Sequence, residues 1–510
     1  MCRLFFYFVF ALTTKASASK ILAVFPTPVL SHQIFFRPFV QEWTRRGHEV
    51  TVITPIPVHP SGKDFENLRE IDVQHVSYET VSDYFVDNNL GKRGHIIDQI
   101  YELNKLNCIT VQAQLATQEV YALRTNEKTK FDVLVLEQCS RSAITYSHIF
   151  EVPVIQISSF GIWGVVDEAV GIPTHPLLYP NFMHQRLYDL SVIEKLSEIY
   201  KHCRIKRDLR NLAPIQIKKF QAILGIDIPS YDVLEENIDM LFLNVHPIWI
   251  DNQPLPTNVI SIWGMHNNTQ NDLPQELKTY LDSSKQGVIY LSLGTNAQWS
   301  QLPEALEQIF KQVFSQLEYN VLWKWDSDDL PETSENIRMS KWFPQKDILR
   351  HPNVKLFITQ GGIHSMEEAI QAGVPLISIP MKVDQWYNGE KVNLHKIGIK
   401  LDMDSLDEEK LLKTIKEVLG DKSYKININR LRTLLNDQPQ SAMDRVTWWT
   451  EYVLRHRGAK HLRSLAANMT WMEYYDVQLA LFLILLTISL TIAVYNICIK
   501  SYSIIMKKLN

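Results

Sequence analysis

The amino-acid sequence predicts an α/β protein with two Rossmann-like, doubly wound halves and a C-terminal membrane helix. Strand, helix and strand candidates alternate at the start of the chain, and the alternation resumes from Val288. A third feature is an apolar run at residues 479–499. The chain has 510 residues, of which 45% are hydrophobic and 21% charged, so it is long enough for two domains with substantial cores.

The first half opens with a strand, a helix and a second strand. Its buried-strand candidates are the short apolar runs 20–26, 49–54, 131–136 and 152–158. Residues 31–46 have helical spacing that stops at Gly47. The sequence between about 62 and 130 is predicted to be helical and irregular.

The most informative stretch of the second half is 357–388, which compresses a strand, a turn, a helix and a second strand into one unit. Its parts are an apolar run at 355–359, the pair Gly361-Gly362, a helix candidate at 363–371 that ends at Gly373, and a strand candidate at 374–379. The unpaired N–H groups at a helix N-terminus can bind an anion, and a diphosphate is the natural candidate. A Gly-Gly pair before a helix also serves close packing, so the pair alone does not identify a site.

The stretch FITQGGIHSMEEAIQAGVPLISIPMKVDQWYN at 357–388 closely resembles the long C-terminal motif of the UDP-glycosyltransferases, the family that includes the microsomal glucuronosyltransferases. Further matching segments are VIYLSLGT at 288–295, WFPQ at 342–345 and DRVTWWTEYVLRHRGAKHLR at 444–463. The resemblance implies the GT-B architecture, in which two doubly wound domains face a cleft. The expected acceptor-binding domain is 19–270, and the expected UDP-sugar-binding domain is 271–440.

The same resemblance assigns residues to each part of the donor. It implies that Trp342 stacks on uracil, that Gln345 bonds the edge of the base and that Glu368 accepts the ribose hydroxyls. Glu367, beside it, is predicted to be a solvated helix residue. The diphosphate candidates are Gly294, Thr295, Gln360, Gly361, Gly362 and His364, and the sugar candidates are Asp384 and Gln385.

Two of these positions depart from the vertebrate glucuronosyltransferases, which usually have His at position 360 and Asn at position 364. Gln360 resembles the invertebrate branch instead, and its amide can donate a hydrogen bond but adds no positive charge. Diphosphate binding is therefore expected, with an altered pH dependence. The resemblance to the invertebrate branch favours UDP-glucose over UDP-glucuronate.

The family's inverting displacement forms no covalent enzyme intermediate, so it needs a base. His32, at the first strand-to-helix turn, matches the position of that base, and an imidazole ordinarily exchanges its proton near neutral pH. Glu137 matches the carboxylate that orients the base, although better-known members have Asp there. Without the resemblance, His32 is one of 16 histidines that are mostly structural or solvated, and Glu137 is a strand-end residue facing solvent.

No metal or other cofactor is predicted, because the UDP-sugar is a co-substrate and no Cys/His spacing suits zinc. One disulfide is possible among Cys108, Cys139 and Cys203, and it would leave one of the three unpaired. The net charge of -4 and the absence of a long basic run argue against a nucleic-acid partner.

The two ends predict a membrane protein. Residues 1–18 combine Arg3, an apolar run and the sequence Ala-Ser-Ala, which is typical of a cleaved signal peptide. Residues 479–499 are long enough to cross a bilayer core of about 30 Å. The basic tail 500–510 should remain cytosolic, and Lys507-Lys508 resembles a dilysine retrieval signal. The expectation is a type I protein of the endoplasmic reticulum with lumenal catalytic domains.

Residues 441–478 are predicted to link the second domain to the membrane. By analogy with the family, 441–457 forms a helix that crosses back onto the first domain, with tryptophans used for packing. Trp471, Tyr474 and Tyr475 are typical of an interfacial aromatic belt. The glycosylation sequons Asn267 and Asn468 lie on the side predicted to be lumenal.

The sequence thus predicts a UDP-glycosyltransferase that conjugates hydroxyl groups of small lipophilic acceptors, as in detoxification. The acceptor cannot be read from the sequence, and association with itself or with a relative is left open. Two alternatives are UDP-glucuronate as the donor and a catalytically silent, membrane-anchored relative that only binds lipophilic ligands. Measuring turnover distinguishes the silent relative from an enzyme.

Overall fold

The computed structural model describes residues 18–58, 66–81, 95–163, 165–265, 271–295, 299, 302–328 and 330–509. Residues 1–17 of the predicted signal peptide and the sequon at Asn267 lie outside these ranges.

A seven-stranded parallel sheet forms the centre of the first half. Its strands are β1 (Lys20–Val24), β2 (Glu49–Thr54), β3 (Leu68–Asp72), β4 (Val133–Glu137), β5 (Val154–Ser158), β6 (Ile238–Leu243) and β7 (Val259–Ser261). They are arranged in the order β3-β2-β1-β4-β5-β6-β7. The strand order reverses between β1 and β4, and such a reversal opens a crevice at the carboxyl ends of the two strands.

Helices flank this sheet. They are α1 (Leu30–Arg45), α2 (Gln74–Val81), α3 (Ile96–Leu115), α4 (Gln118–Thr125), α5 (Tyr146–Phe150), α6 (Val166–Val170), α7 (Val192–Leu224) and α8 (Tyr231–Glu235). The spacing of Phe35, Phe36, Phe39 and Trp43 puts one apolar face of α1 against the sheet, where all four are buried. This packing fixes the first turn of α1, which carries His32.

The sequence interpretation missed β3, which lies in the stretch predicted to be helical and irregular. Only Leu68 and Ile71 of its five residues are buried, and the other three are charged. An edge strand with one solvated face lacks the continuous apolar run of a central strand. The prediction is therefore wrong for residues 68–72, whereas α2, α3 and α4 in the same stretch are helical as predicted.

The second half contains a six-stranded parallel sheet. Its strands are β8 (Val288–Ser292), β9 (Asn320–Lys324), β10 (Ile337–Ser340), β11 (Val354–Thr359), β12 (Leu376–Ser378) and β13 (Gly398–Lys400), in the order β10-β9-β8-β11-β12-β13. Its helices are α9 (Gln275–Ser283), α10 (Glu304–Ser315), α11 (Gln345–Leu349), α12 (Ile363–Ala372), α13 (Gln385–Leu394), α14 (Glu408–Gly420) and α15 (Lys422–Asn436). The order reverses between β8 and β11, which places a second crevice there.

The C-terminal region returns to the first half before it leaves the globular body. Helix α16 (Ala442–His456) buries Val446 and Val453 in the core formed with α1, and Arg46 pairs with Glu451 at 2.9 Å. The prediction that its tryptophans serve packing is wrong for Trp448, which is 46% exposed. Its ring stacks on Tyr452 at the surface instead.

Two further helices close the chain, α17 (Trp471–Tyr474) and α18 (Val477–Leu509). Among the described residues, α18 alone is long and apolar enough to cross a membrane, and none of its residues is buried. The helix continues past the predicted limit of 499 through Lys507 and Lys508. The tail predicted at 500–510 is therefore helical as far as Leu509.

The two halves are held together by a continuous core and by polar contacts from α13. The Lys391 ammonium lies 2.6 Å from the Asp251 carboxylate and 2.5 Å from the Tyr188 hydroxyl. The Trp249 indole donates to Asn388 at 3.1 Å. These contacts join the second half to the first beside the cleft described below.

Candidate active site

One cavity of about 560 Å³ lies between the halves, at the carboxyl ends of both sets of strands. Its wall in the first half comes from the β1–α1 turn, α3 and the segments that follow β4 and β5. Its wall in the second half comes from the segments that follow β8, β10, β11 and β12. Predicted residues that line it are His32, Gly294, Thr295, Trp342, Gln345, Gln360, Gly362, His364, Glu368, Asp384 and Gln385.

Two predicted residues are not on the wall. Glu137 lies directly behind His32, and its side chain is fully buried. Gly361 is buried beneath the β11–α12 turn, and a Cβ there would lie 2.6 Å from the Ser378 hydroxyl. Its φ of +92° also requires glycine, so Gly361 shapes the turn.

His32 and Glu137 form a hydrogen-bonded pair. Their Nδ1 and Oε1 atoms are 2.6 Å apart, and the His32 side chain is 16% exposed toward the cleft. The alternative of a solvent-facing Glu137 is therefore wrong. An ionised carboxylate only accepts hydrogen bonds, so His32 carries its proton on Nδ1 and keeps a lone pair on Nε2.

Glu137 has two more donors. The Thr27 backbone N–H donates to Oε2 at 3.1 Å, and the Cys139 thiol donates to Oε1 at 2.9 Å. Three hydrogen-bond donors therefore surround this buried carboxylate and satisfy its oxygens. Cys139 was not predicted as a site residue, and sequence reasoning considered it only as a disulfide candidate.

The cleft beside His32 is mostly apolar. Its wall includes Val81, Leu103 and Leu106 from α2 and α3, and Phe160 and Trp163 from the segment after β5. The Phe160 ring meets the His32 imidazole edge to face, with centroids 5.6 Å apart. This part of the cleft suits an apolar molecule that presents one polar group to His32.

On the opposite side, Trp342 offers an accessible ring face. Trp342 is 56% exposed, although tryptophan is usually well buried. Nearby, Gln345 donates to Glu368 at 2.8 Å and to Ser365 at 3.1 Å. Burial raises the pKa of Glu368 to about 6, while the Gln345 hydrogen bond opposes the rise.

Gly294 and Gln360 approach each other closely at the ends of β8 and β11. Gly294 has a φ of +76°, and a Cβ on it would collide with the Gln360 amide nitrogen. The Lys324 ammonium, at the end of β9, donates to the Gly294 carbonyl at 2.5 Å and lies 5.1 Å from the Trp342 ring centre. Burial lowers the pKa of Lys324.

Sequence reasoning missed Lys324, although it carried a signal. A lysine at the carboxyl end of a buried strand stands where ligands bind in open α/β sheets. Lys324 therefore places a cation beside Gly294 and Gln360, where the Gln360 side chain itself carries no charge.

Side chains near the N-terminus of α12 make contacts within the second half and across to the first. Asp384 accepts from the Ile363 N–H at 3.3 Å and from the Asn388 amide at 2.8 Å. The His364 imidazole contacts the Ser159 carbonyl of the first half at 2.9 Å. Gln385 turns its oxygen toward the backbone N–H groups of 381 and 382, at 2.8 Å each.

Asp384 lies close enough to His32 for their charges to interact. Burial raises the pKa of Asp384 to about 6, whereas its hydrogen bonds and the charge of His32 lower it. The residues assigned to the sugar and to the base thus come together at the boundary between the halves.

Glu367 contradicts its prediction as a solvated helix residue, because it is fully buried. The Asn244 amide donates to Glu367 at 3.3 Å and to the Ser159 carbonyl at 3.1 Å. Asn244 belongs to the first half and Glu367 to the second. Sequence spacing alone cannot show that the face of α12 carrying Glu367 is covered by another domain.

Within the described residues, His32, Glu137 and Cys139 are the one His/Cys/Asp/Glu group whose ligand atoms could approach a single metal ion. Their contacts of 2.6 and 2.9 Å lie in the hydrogen-bonding range. The cysteines at 108, 139, 203 and 498 are free thiols, so the disulfide left open by the sequence does not form.

Comparisons with known proteins show which sequences this chain resembles. The family model described as UDP-glucuronosyl and UDP-glucosyl transferase matches residues 19–510. An ecdysteroid UDP-glucosyltransferase of Spodoptera littoralis nuclear polyhedrosis virus is 33% identical over 90% of this chain and 93% of its own length. UDP-glycosyltransferase UGT5 of Dactylopius coccus is 29% identical over 96% of this chain and 94% of its own.

Solved structures give the fold. Os79 from O. sativa in complex with UDP has a TM-score of 0.59 and 16% identity, covering 85% of this chain and all of that one. The calicheamicin glycosyltransferase CalG4 has a TM-score of 0.58 and 15% identity, covering 86% of this chain and 99% of that one. The fold is the GT-B arrangement that the sequence predicted.

Proposed function

Since the chain belongs to the family of UDP-glucuronosyl and UDP-glucosyl transferases and is a hexosyltransferase, we propose that it transfers glucose from UDP-glucose to a hydroxyl of a small lipophilic acceptor, with His32 as the base. The observation that carries the proposal is one cleft with a buried His–carboxylate pair on one wall and the matched donor residues on the other. The glucosyl donor is supported by the name of the viral relative.

The reaction is a displacement at the anomeric carbon with inversion. The acceptor oxygen attacks that carbon as the bond to the UDP oxygen breaks, and UDP departs with the bonding electron pair. The acceptor proton moves to Nε2 of His32, whose Nδ1–H remains bonded to Glu137. The Glu137 carboxylate stabilises the resulting imidazolium and fixes the ring orientation.

The second half holds the donor. Trp342 stacks on uracil, Gln345 bonds its edge, and Glu368 accepts hydrogen bonds from the ribose. Diphosphate contacts come from the turns at Gly294 and Gly362, with Gln360 and His364 beside them. Asp384 and Gln385 then bind the sugar next to His32.

The acceptor occupies the apolar part of the cleft between α2, α3 and the segment after β5. That wall is mostly apolar and has few polar groups, so it can pack against apolar rings or chains. A hydrophobic alcohol or phenol therefore fits it. Phe160 packs against His32 and limits where the reacting hydroxyl can sit.

The test is product mass after membranes containing the protein are incubated with phenols or sterol-like alcohols and either UDP-glucose or UDP-glucuronate. A gain of one hexose with UDP-glucose is expected. The His32→Ala variant should lower kcat about 10²–10⁴-fold while still binding UDP, since general-base help has that size. Transfer of glucuronate instead would overturn the donor assignment, and undiminished transfer by His32→Ala would overturn the base.

The proposed location is the endoplasmic-reticulum membrane, with α18 as a single anchor and both halves in the lumen. Asn468, nine residues before α18, is exposed and would face the same compartment. Protease added to sealed vesicles should leave the two halves intact until detergent is added. Digestion without detergent contradicts the proposed orientation.

A further inference from the structure

The Glu137 side chain is long and buried, and its carboxylate has to be held in one orientation to contact His32. It has one more rotatable bond than the aspartate found in better-known relatives. Its carboxylate is nevertheless fixed at both oxygens, by His32 and Cys139 on Oε1 and by the Thr27 N–H on Oε2. Of these three contacts, the thiol is the one supplied by a side chain with no assigned role.

The Cys139 thiol is suited to be a permanent donor. Burial raises its pKa well above the ordinary value, and the negative charge of Glu137 raises it further. The sulfur therefore keeps its proton at working pH. The side chain is 5% exposed and forms part of the cleft wall, and its sulfur lies 3.7 Å from His32 Nδ1.

We propose that Cys139 is a positioning residue whose S–H donor fixes the Glu137 carboxylate against His32. This inference rests on the proposed function of His32 as the base. The thiol shares Oε1 with the imidazole, so it both restrains the carboxylate and withdraws part of its charge from His32. Its effect on turnover passes through Glu137 and requires no contact with substrate.

Two substitutions at Cys139 separate hydrogen bonding from packing. Cys139→Ser keeps a donor but loses volume and apolar character, whereas Cys139→Val keeps apolar volume and loses the donor. The hydrogen-bond role predicts an active Ser variant and an impaired Val variant. A packing role predicts the reverse order.

Turnover of full-length protein in membranes should be measured with UDP-glucose and a phenol that wild type converts. Cys139→Val is expected to lower kcat about 10-fold with an unchanged KM for UDP-glucose, and Cys139→Ser should stay within about 3-fold of wild type. UDP binding reports whether each variant is folded. Cys108→Val and Cys108→Ser are matched controls, because Cys108 is a buried thiol outside the cleft.

The pH profile supplies a readout that packing would not move. The titratable groups near the pair of His32 on α1 and Glu137 on β4 are Cys139 and, across the cleft, Asp384. Without the S–H donor, the Glu137 carboxylate interacts more strongly with His32. The stronger interaction favours the protonated form of His32. The acidic limb of kcat/KM should therefore move to higher pH by about 0.5–1 unit in Cys139→Val and not in the Cys108 controls.

Each outcome decides the inference. An unchanged pH profile in Cys139→Val, or a Ser variant as impaired as the Val variant, overturns the positioning role. No product from wild-type protein overturns the proposed function and this inference with it. Normal wild-type turnover with an equally active Cys139→Val variant overturns this inference alone.

Discussion

At the scale of single residues, the cleft contains carboxyl groups whose protonation changes near neutral pH. Burial raises the pKa of both Glu368 and Asp384 to about 6, because each loses water without gaining a fully compensating cation. Only the ionised forms accept hydroxyl hydrogen bonds with both oxygens. In the donor site proposed above, binding therefore depends on these groups being ionised when the UDP-sugar arrives.

This dependence can be measured as the dissociation constant of UDP-glucose against pH. Affinity should fall about 10-fold as the pH drops from 8 through 6 to 5, because protonation removes charged acceptors. Glu368→Gln should bind about 10-fold more weakly at pH 8 and show a smaller change on acidification. Glu409→Gln is the control, since Glu409 is exposed on α14 and does not line the cleft. Equal pH dependence in all three proteins would refute the role of Glu368.

At the scale of elements, the turn between β11 and α12 depends on a glycine in a conformation that L residues avoid. Gly361 and Gly47 both have a φ of +92°, but their surroundings differ. A Cβ at Gly361 would lie 2.6 Å from the Ser378 hydroxyl, whereas one at Gly47 would meet nothing within 4 Å. The two positions separate backbone strain from steric conflict.

The comparison of Gly361→Ala with Gly47→Ala tests this difference. Gly47→Ala should cost about 1–2 kcal/mol through the backbone alone. Gly361→Ala should cost about 1–3 kcal/mol more and weaken UDP binding, because the turn must shift to admit the methyl group. Thermal unfolding midpoints and UDP titrations of both variants provide the check. If the two variants are equally stable and bind UDP equally well, the steric argument is wrong.

The central elements could be predicted from sequence because their signals are local. Strand β2 at Glu49–Thr54 coincides with its prediction, and α12 begins at the predicted residue after the two glycines. Strand β3 was missed because an edge strand has few buried residues. The length of α18 was underestimated because polar residues near its end do not interrupt helical hydrogen bonding.

At the scale of the whole molecule, contacts between the halves carry information that no sequence spacing contains. The resemblance assigned His32 and Glu137 to the candidate site, but it gave no reason to connect Cys139 with them. Glu367 was misread because its partner, Asn244, is 123 residues away and belongs to the other half. Candidate site residues were thus predicted where they belong to a family motif. Residues that contact them from distant parts of the sequence were missed.

The Asn244 bridge allows a test of whether domain arrangement affects chemistry. Its amide joins the Ser159 carbonyl to Glu367, so Asn244→Ala should loosen the halves and misalign donor and base. We expect kcat/KM for UDP-glucose to fall about 10-fold. Asn258→Ala is the matched control, because Asn258 is equally buried but its amide has no hydrogen-bond partner among the described residues. That control should keep its kcat/KM even if its thermal midpoint falls. Equal activity of the two variants would show that the bridge stabilises the fold without aligning the cleft.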